Sequence, residues 1–293
     1  MPELPEVETI RLGLKEILPG KVFKDVIIYW PKSLNYSKEY IIKNLYKTKI
    51  LGLKRRGKLL IIDLDNQYFL LIHLKMTGQI IYKDKNFRFG AGHPNDSFIS
   101  KMPDKSTRVE IIFDDGSKLY FNDQRKFGWI KLLNIEEYKK FNFLNSLGLE
   151  PLESSFSFEV FKERLNLRIK SSIKSVLLDQ KIIAGLGNIY VDESLWMAKI
   201  HPKTIVKDIP LSKLKILYQS IISVLRFSIA QGGASDRNYL NIKGEKGSFT
   251  NFAQVYKRKG LLCSRCGHQI IKIKVAGRGT HLCPNCQKLK TKR

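Results

Sequence analysis

Three observations predict an α+β chain, with antiparallel strands first, helices next and a compact four-cysteine ribbon last. Before residue 130, apolar segments are joined by tight-turn signals. Segments 58–64 and 67–74 flank Asp65-Asn66, and 109–113 and 118–121 flank Asp114-Asp115-Gly116. Strands that follow one another in hairpins close as an antiparallel sandwich or barrel. Beyond residue 157 the apolar period becomes helical. Near the end, the only cysteines of the chain stand as Cys263-x2-Cys266, sixteen residues, then Cys283-x2-Cys286.

In chain order, Pro5 suits the first turn of a helix, Glu6 and Glu8 suit its dipole, and Ile10, Leu14, Ile17 and Leu18 form its apolar face. Residues 1–4 are then expected as a short exposed arm. Strands occupy most of the stretch to 133, with a polar surface loop expected at 84–105. A linker containing Gly148-Leu149-Glu150-Pro151 separates them from helices at 158–167, 173–179, 188–198 and 211–230. The last of these buries Leu214, Leu217, Tyr218, Ile221, Ile222 and Leu225 and stops at Gly232-Gly233. Gly185-Leu186-Gly187-Asn188 opens the third helix, where free N–H groups could hold a phosphate or two glycines could simply make a tight turn. Residues 235–252 read as loop, and no internal repeat is present. The expected division is 2–133, a linker at 134–156, a helical domain at 157–252 and a finger at 253–293.

The two knuckles have the spacing of a tetrahedral structural zinc site. A pair of disulfides is the alternative, and the lack of a secretory segment argues against it. No run of about 18 uninterrupted apolar residues occurs; the segment 59–74 is broken by Asp63, Asp65, Asn66 and His73. A soluble, cytoplasmic protein without membrane contact is expected, and a monomer, since no heptad is visible. The formal charge is +25, and residues 246–293 carry twelve Lys or Arg and no Asp or Glu. Such a field favours a polyanion, above all nucleic acid, through steering and counterion release.

Pro2 is an unusual candidate nucleophile. Once the initiator methionine is removed, it presents a secondary amine titrating near the α-amino range of about 7.7–8.0, far below a typical lysine at about 10.4. Such an amine can attack an aldehyde-like carbon and form an iminium. Glu3 stands beside it to exchange protons. Arg55-Arg56-Gly57-Lys58 places a lysine at the start of an apolar strand.

Met1-Pro2-Glu3-Leu4-Pro5-Glu6-Val7-Glu8, Arg55-Arg56-Gly57-Lys58, His73-Leu74-Lys75-Met76, Arg125-Lys126-Phe127-Gly128, Gly185-Leu186-Gly187-Asn188-Ile189-Tyr190 and Gly277-Arg278-Gly279-Thr280 occur in this order. With the ribbon, they resemble bacterial formamidopyrimidine-DNA glycosylase of the zinc-finger type, over nearly the whole chain. The resemblance implies an N-terminal β-sandwich, a helix-two-turns-helix domain and a zinc finger. It also implies removal of oxidised purines from double-stranded DNA and cleavage of the resulting abasic site, in a cytoplasmic, nucleoid-associated enzyme. Pro2 and Glu3 would be catalytic, with Lys58 moving protons and Arg278 gripping phosphate together with Asn188. Met76, Arg125 and Phe127 match the family's inserted triad, and His73 and Lys174 match phosphate neighbours. The zinc would be structural, because four cysteines leave no open position.

The chain departs from the family where a Lys-His-x-His segment is common. It has Lys105-Ser106-Thr107-Arg108 there, and Arg108 is a candidate to replace the missing charge. The segment 235–252 matches poorly. An endonuclease VIII-like enzyme for oxidised pyrimidines and a non-catalytic lesion-binding protein are the competing readings.

Overall fold

A computed structural model of the chain describes residues 2–93, 100–234 and 248–289. It divides into two compact units, Met1–Asn145 with Gln231–Ser248, and Ser146–Ala230 with Phe249–Arg293.

The first unit opens with α1 (Leu4–Lys15) and continues through β1 (Phe23–Ile28), α2 (Lys38–Leu45), β2 (Ile50–Arg56), β3 (Leu59–Leu64), β4 (Tyr68–His73), β5 (Gly78–Lys83), β6 (Arg88–Gly92), β7 (Thr107–Phe113), β8 (Lys118–Asp123) and β9 (Trp129–Asn134). The short helices α3 (Ile135–Lys139) and α4 (Asn142–Asn145) follow. The strands make a five-stranded sheet in the order β1-β7-β8-β5-β6 and a four-stranded sheet in the order β2-β3-β4-β9. Every ladder is antiparallel. One core cluster joins Ile62, Leu70 and Leu132 of the smaller sheet to Ile80, Phe113 and Phe121 of the larger, with Ile10 and Leu14 of α1 packed in. The architecture is therefore a sandwich, in which each sheet buries one alternating face against the other.

Two expectations are corrected here. Residues 2–4 are not an exposed arm: Pro2 is buried, Leu4 is 0% exposed and the helix starts at Leu4. Leu4 and Val7 begin the same apolar stripe as Ile10, nearly two helical turns earlier than the sequence pattern suggested. The stretch 84–105 is not all loop, since β6 pairs with β5 and buries Phe89 and Ala91.

The second unit holds α5 (Phe158–Asn166), α6 (Ile173–Leu178), α7 (Asn188–Met197), α8 (Leu211–Ala230), α9 (Phe249–Phe252) and the hairpin β10 (Ile271–Val275) and β11 (Arg278–Leu282). In α8, Ser220 and Ser228 are buried beside Leu217, Ile221 and Leu225, while Tyr218 and Ile222 are half-buried at the edge of the stripe. Ser228 is satisfied by the Tyr190 hydroxyl at 2.7 Å.

Helix α7 organises this unit with two consecutive buried carboxylates. Glu193 accepts the backbone N–H groups of Gln254, Val255 and Tyr256 at 2.9, 2.9 and 2.8 Å, fixing the strand of chain that enters the finger. Asp192 accepts the His281 N–H at 2.8 Å and pairs with the Lys174 ammonium at 2.5 Å. Glu193→Ala removes the acceptor of one buried N–H group, that of Val255, and of two partly buried ones, and loss of the buried bond alone costs about 1–3 kcal/mol. Urea unfolding of the variant is expected to show a loss of about 2 kcal/mol or more.

Candidate active site

The N-terminal candidates are held by short-range hydrogen bonds. Glu3, 3% exposed, is the residue before α1, and its N–H donates to Glu6 Oε2 at 2.7 Å. The other Glu6 oxygen accepts the Ala234 N–H at 2.8 Å. One carboxylate thus ties the residue after Pro2 to the segment that follows α8. Sequence reasoning assigned Glu6 only to the helix dipole, because its second partner is 228 residues away.

Lys58 is half-buried in the turn between β2 and β3, after Gly57 at φ 57°. Arg55 fixes that turn by donating to the Gly57 carbonyl at 2.9 Å and, through Nε, to Glu8 of α1 at 2.8 Å. Burial opposes ionisation of Glu8, but hydrogen bonds from Arg11 and the charge of Arg55 hold its carboxyl below the ordinary range. The pair therefore links the helix that carries Glu3 to the turn that carries Lys58.

His73 ends β4 directly opposite Leu59 and is 7% exposed. Its Nδ1 accepts the Lys75 N–H at 2.9 Å, which places the ring proton on Nε2. Burial, then the charges of Lys75 and Lys58, push its pKa down to about 3. A neutral donor, not a cation, is what His73 can offer a phosphate.

Met76, Arg125 and Phe127 form an exposed cluster. Met76 is 42% and Phe127 53% exposed, which rules out strand packing as their role. The Arg125 guanidinium lies 4.8 Å from the Phe127 ring centroid and 3.1 Å from Met76 Sδ. Arg108 does not supply the charge of the missing family histidine. It is 8% exposed and its guanidinium is spent on the carbonyls of Asp123 at 2.8 Å and Lys105 at 3.1 Å.

In the second unit, Asn188 opens α7 and donates through Nδ2 to the Gly279 carbonyl at 2.9 Å. Arg278, exposed at the start of β11, therefore stands beside the helix N-terminus, on a turn through Ala276 at φ 48° and Gly277 at φ 73°. Lys174 is a correction. It is 0% exposed and its ammonium is bound to Asp192, so it holds α6 to α7 and presents no charge to a phosphate. The sequence shows a lysine in basic company; the partner that draws it inward lies 18 residues on.

The four cysteines are free thiols whose sulfur atoms all lie within 4.8 Å of one another. Cys263 and Cys286 sulfurs are 3.9 Å apart, and those of Cys266 and Cys283 are 3.4 Å apart. Tetrahedral zinc–thiolate bonds of about 2.3 Å place sulfurs about 3.8 Å apart, so the set fits one zinc ion. The His268 N–H draws the Cys266 thiol down to about 5, whereas burial and then the neighbouring thiols push Cys286 up to about 12. A divalent cation offsets that mutual repulsion.

This sandwich, helical segment and four-thiol finger define a DNA-repair glycosylase. The formamidopyrimidine-DNA glycosylase N-terminal domain matches residues 1–130, the formamidopyrimidine-DNA glycosylase H2TH domain residues 147–239, and the zinc finger found in FPG and IleRS residues 260–289. The formamidopyrimidine-DNA glycosylase of Enterococcus faecalis is 41% identical, covering 100% of this chain and 99% of its own. That of Streptococcus thermophilus is 40% identical over 98% of this chain and 100% of its own. The Lactococcus lactis enzyme, solved in complex with DNA containing N7-benzyl-Fapy-dG, superposes with a TM-score of 0.85 at 36% identity, covering 98% of this chain and 100% of that one. The chain belongs to the formamidopyrimidine-DNA glycosylase family, which removes oxidised purines by base excision and cleaves the abasic site that results. Among the described residues, no helix is long and apolar enough to cross a membrane.

Two outcomes are expected. His73 stays unprotonated in the folded protein while the unfolded chain takes up a proton near the ordinary pKa of 6.5. Stability is then unaffected above that pH and falls as pH drops from about 6.5 toward 3, by at most about 1.4 kcal/mol per unit. Acid melts of His73→Gln should be flatter over that window. Metal release assayed with a chromogenic chelator should give one zinc per chain, and Cys283→Ser should lose both the zinc and affinity for duplex DNA.

Proposed function

We propose that the Pro2 nitrogen attacks C1′ of an oxidised purine nucleotide in duplex DNA while the bond from C1′ to the base breaks and the base leaves. Glu3 exchanges a proton with the sugar ring oxygen as the ring opens, which leaves an iminium between Pro2 and C1′. That iminium acidifies the C2′ proton, whose removal expels the 3′ phosphate. A second elimination expels the 5′ phosphate, and hydrolysis returns the free amine. Lys58 moves protons and contacts phosphate. Asn188 and Arg278 hold backbone phosphates, using the α7 N-terminus and a side-chain cation.

The observation that carries this reading is the exposed cluster of Met76, Arg125 and Phe127. A base cannot be attacked at C1′ inside the stack, and the vacated space has to be filled. Two apolar side chains held in water around a guanidinium suit that task, with the arginine facing the orphaned base. The net charge of +25 suits duplex DNA in the cytoplasm as the partner. An oxidised pyrimidine is a second substrate class, because the Lactococcus lactis relative has been solved in complex with DNA containing one.

Borohydride trapping on duplex DNA carrying 8-oxoguanine opposite cytosine is expected to give a covalent adduct that peptide mass spectrometry places on residue 2. Glu3→Gln should lower base excision by about a hundredfold or more. The absence of any adduct from protein whose intact mass confirms loss of Met1 would overturn the mechanism. A retained Met1 would make the Pro2 nitrogen an amide, which is no nucleophile.

A further inference from the structure

Met76, Arg125 and Phe127 come from two separate loops, 74–77 and 124–128. Each loop carries a lysine in the left-handed backbone region, Lys75 at φ 49° and Lys126 at φ 59°. Each closes on a glycine with no room for a side chain. A Cβ at Gly78 would lie 2.4 Å from the Leu74 carbonyl oxygen, and one at Gly128 would lie 2.7 Å from the Phe121 ring. Uncommon backbone persists only where the surroundings over-determine it.

The surroundings here are Thr77 and Asp123. The Asp123 carboxylate, 0% exposed, accepts the Gly128 N–H at 2.6 Å, the Arg125 N–H at 3.2 Å and the Thr77 hydroxyl. Thr77 Oγ1 in turn accepts the Arg125 N–H at 3.1 Å. The residue after Met76 is thereby bonded to Asp123 and Arg125 at the start of the loop that carries Arg125 and Phe127, and the same Asp123 carboxylate holds Gly128 at its end. Arg108 fastens the Asp123 carbonyl from below at 2.8 Å. On the outer side, the Lys126 ammonium sits 3.9 Å from the Trp30 ring centroid.

We propose that Thr77 and Asp123 are positioning residues that lock Met76, Arg125 and Phe127 into one preformed wedge. The duplex is then entered by a rigid body, and no loop has to be ordered during entry. This rests on the wedge reading of the cluster given above. Loops that ordered on contact would pay that cost in the insertion step, which slows it. The hydroxyl of Thr77 joins the two loops by donating to Asp123 and accepting from Arg125, and Thr77→Val removes it with little change in volume.

The test uses the full-length enzyme and a duplex carrying a tetrahydrofuran abasic analogue, so that no lesion base is present to contact residue 77. A 2-aminopurine next to the orphaned base reports insertion by stopped-flow fluorescence. Thr77→Val is expected to slow the fluorescence rise by about 3- to 10-fold, the worth of one or two hydrogen bonds. Thr77→Ser should restore the wild-type rate. The salt dependence of duplex binding should be unchanged in both, since no phosphate contact is lost. Asp123→Asn, which leaves Thr77 intact, gives an independent slowing if Thr77→Val melts far below wild type. Wild-type insertion rates in Thr77→Val and Asp123→Asn, or equal slowing in Thr77→Ser and Thr77→Val, would overturn the proposal. Phe127→Ala separates the two levels. If it leaves the fluorescence rise unchanged, the wedge reading itself fails, whereas a slow Phe127→Ala beside a normal Thr77→Val removes only the positioning role.

Discussion

A fully buried carboxylate, that of Asp192, sets the position of the finger hairpin that carries Arg278. An ion this deeply buried persists only when its oxygens are fully engaged. One holds the Lys174 ammonium of α6 and the other the His281 N–H of β11. The finger hairpin is therefore docked on α7 by an interaction that cannot be loosened without leaving a charge in an apolar interior. Asn188, four residues earlier on the same helix, repeats the attachment one turn away at the Gly279 carbonyl. Arg278 lies next to that anchored carbonyl, so an exposed arginine is presented from a hydrogen-bonded backbone.

The first unit solves the same problem with one buried and one half-buried carboxylate. Glu6 and Glu8 stand on successive half-turns of α1 and point to different neighbours. Glu6 bonds the Glu3 and Ala234 amides, and Glu8 bonds Arg11 and Arg55. The residues that would touch the sugar thus rest on a helix start whose register is set by the sandwich. Buried apolar residues on both sheets supply the stability, and the charged pairs supply the placement.

Much of this was legible from residue order. The strands at 58–64 and 67–74 announce themselves through β-branched and apolar runs around a turn, and the ribbon through cysteine spacing, since both signals are local. β6 was not legible, because Arg88-Phe89-Gly90-Ala91-Gly92 has no β-branched residue, and its pairing with β5 is what makes it a strand. Lys174 was misplaced for a related reason. Its neighbours Ile173, Val176 and Leu177 announce a buried helix face, but the carboxylate that allows a lysine to join them lies on another helix. Glu6 was legible only as a helix-dipole residue, and Thr77 and Asp123 not at all, since the bonds from Glu6 to Ala234 and from Thr77 to Asp123 span distant parts of the sequence. The resemblance located Met76, Arg125 and Phe127, but only geometry showed that they touch.

The four finger sulfurs are not equivalent. Cys263 and Cys283 are buried, whereas Cys266 and Cys286 are half-exposed, and the apolar cluster around them is small, with Trp196, Val255 and Ile270 as its other buried members. An oxidant arriving from solvent meets the outer pair first, and a sulfur carried to the sulfenic or sulfinic state no longer serves as a thiolate ligand. With so small a cluster, the metal is expected to supply much of the finger's stability. The chemistry that oxidises purines thus meets the finger first at Cys266 and Cys286, the two sulfurs nearest solvent.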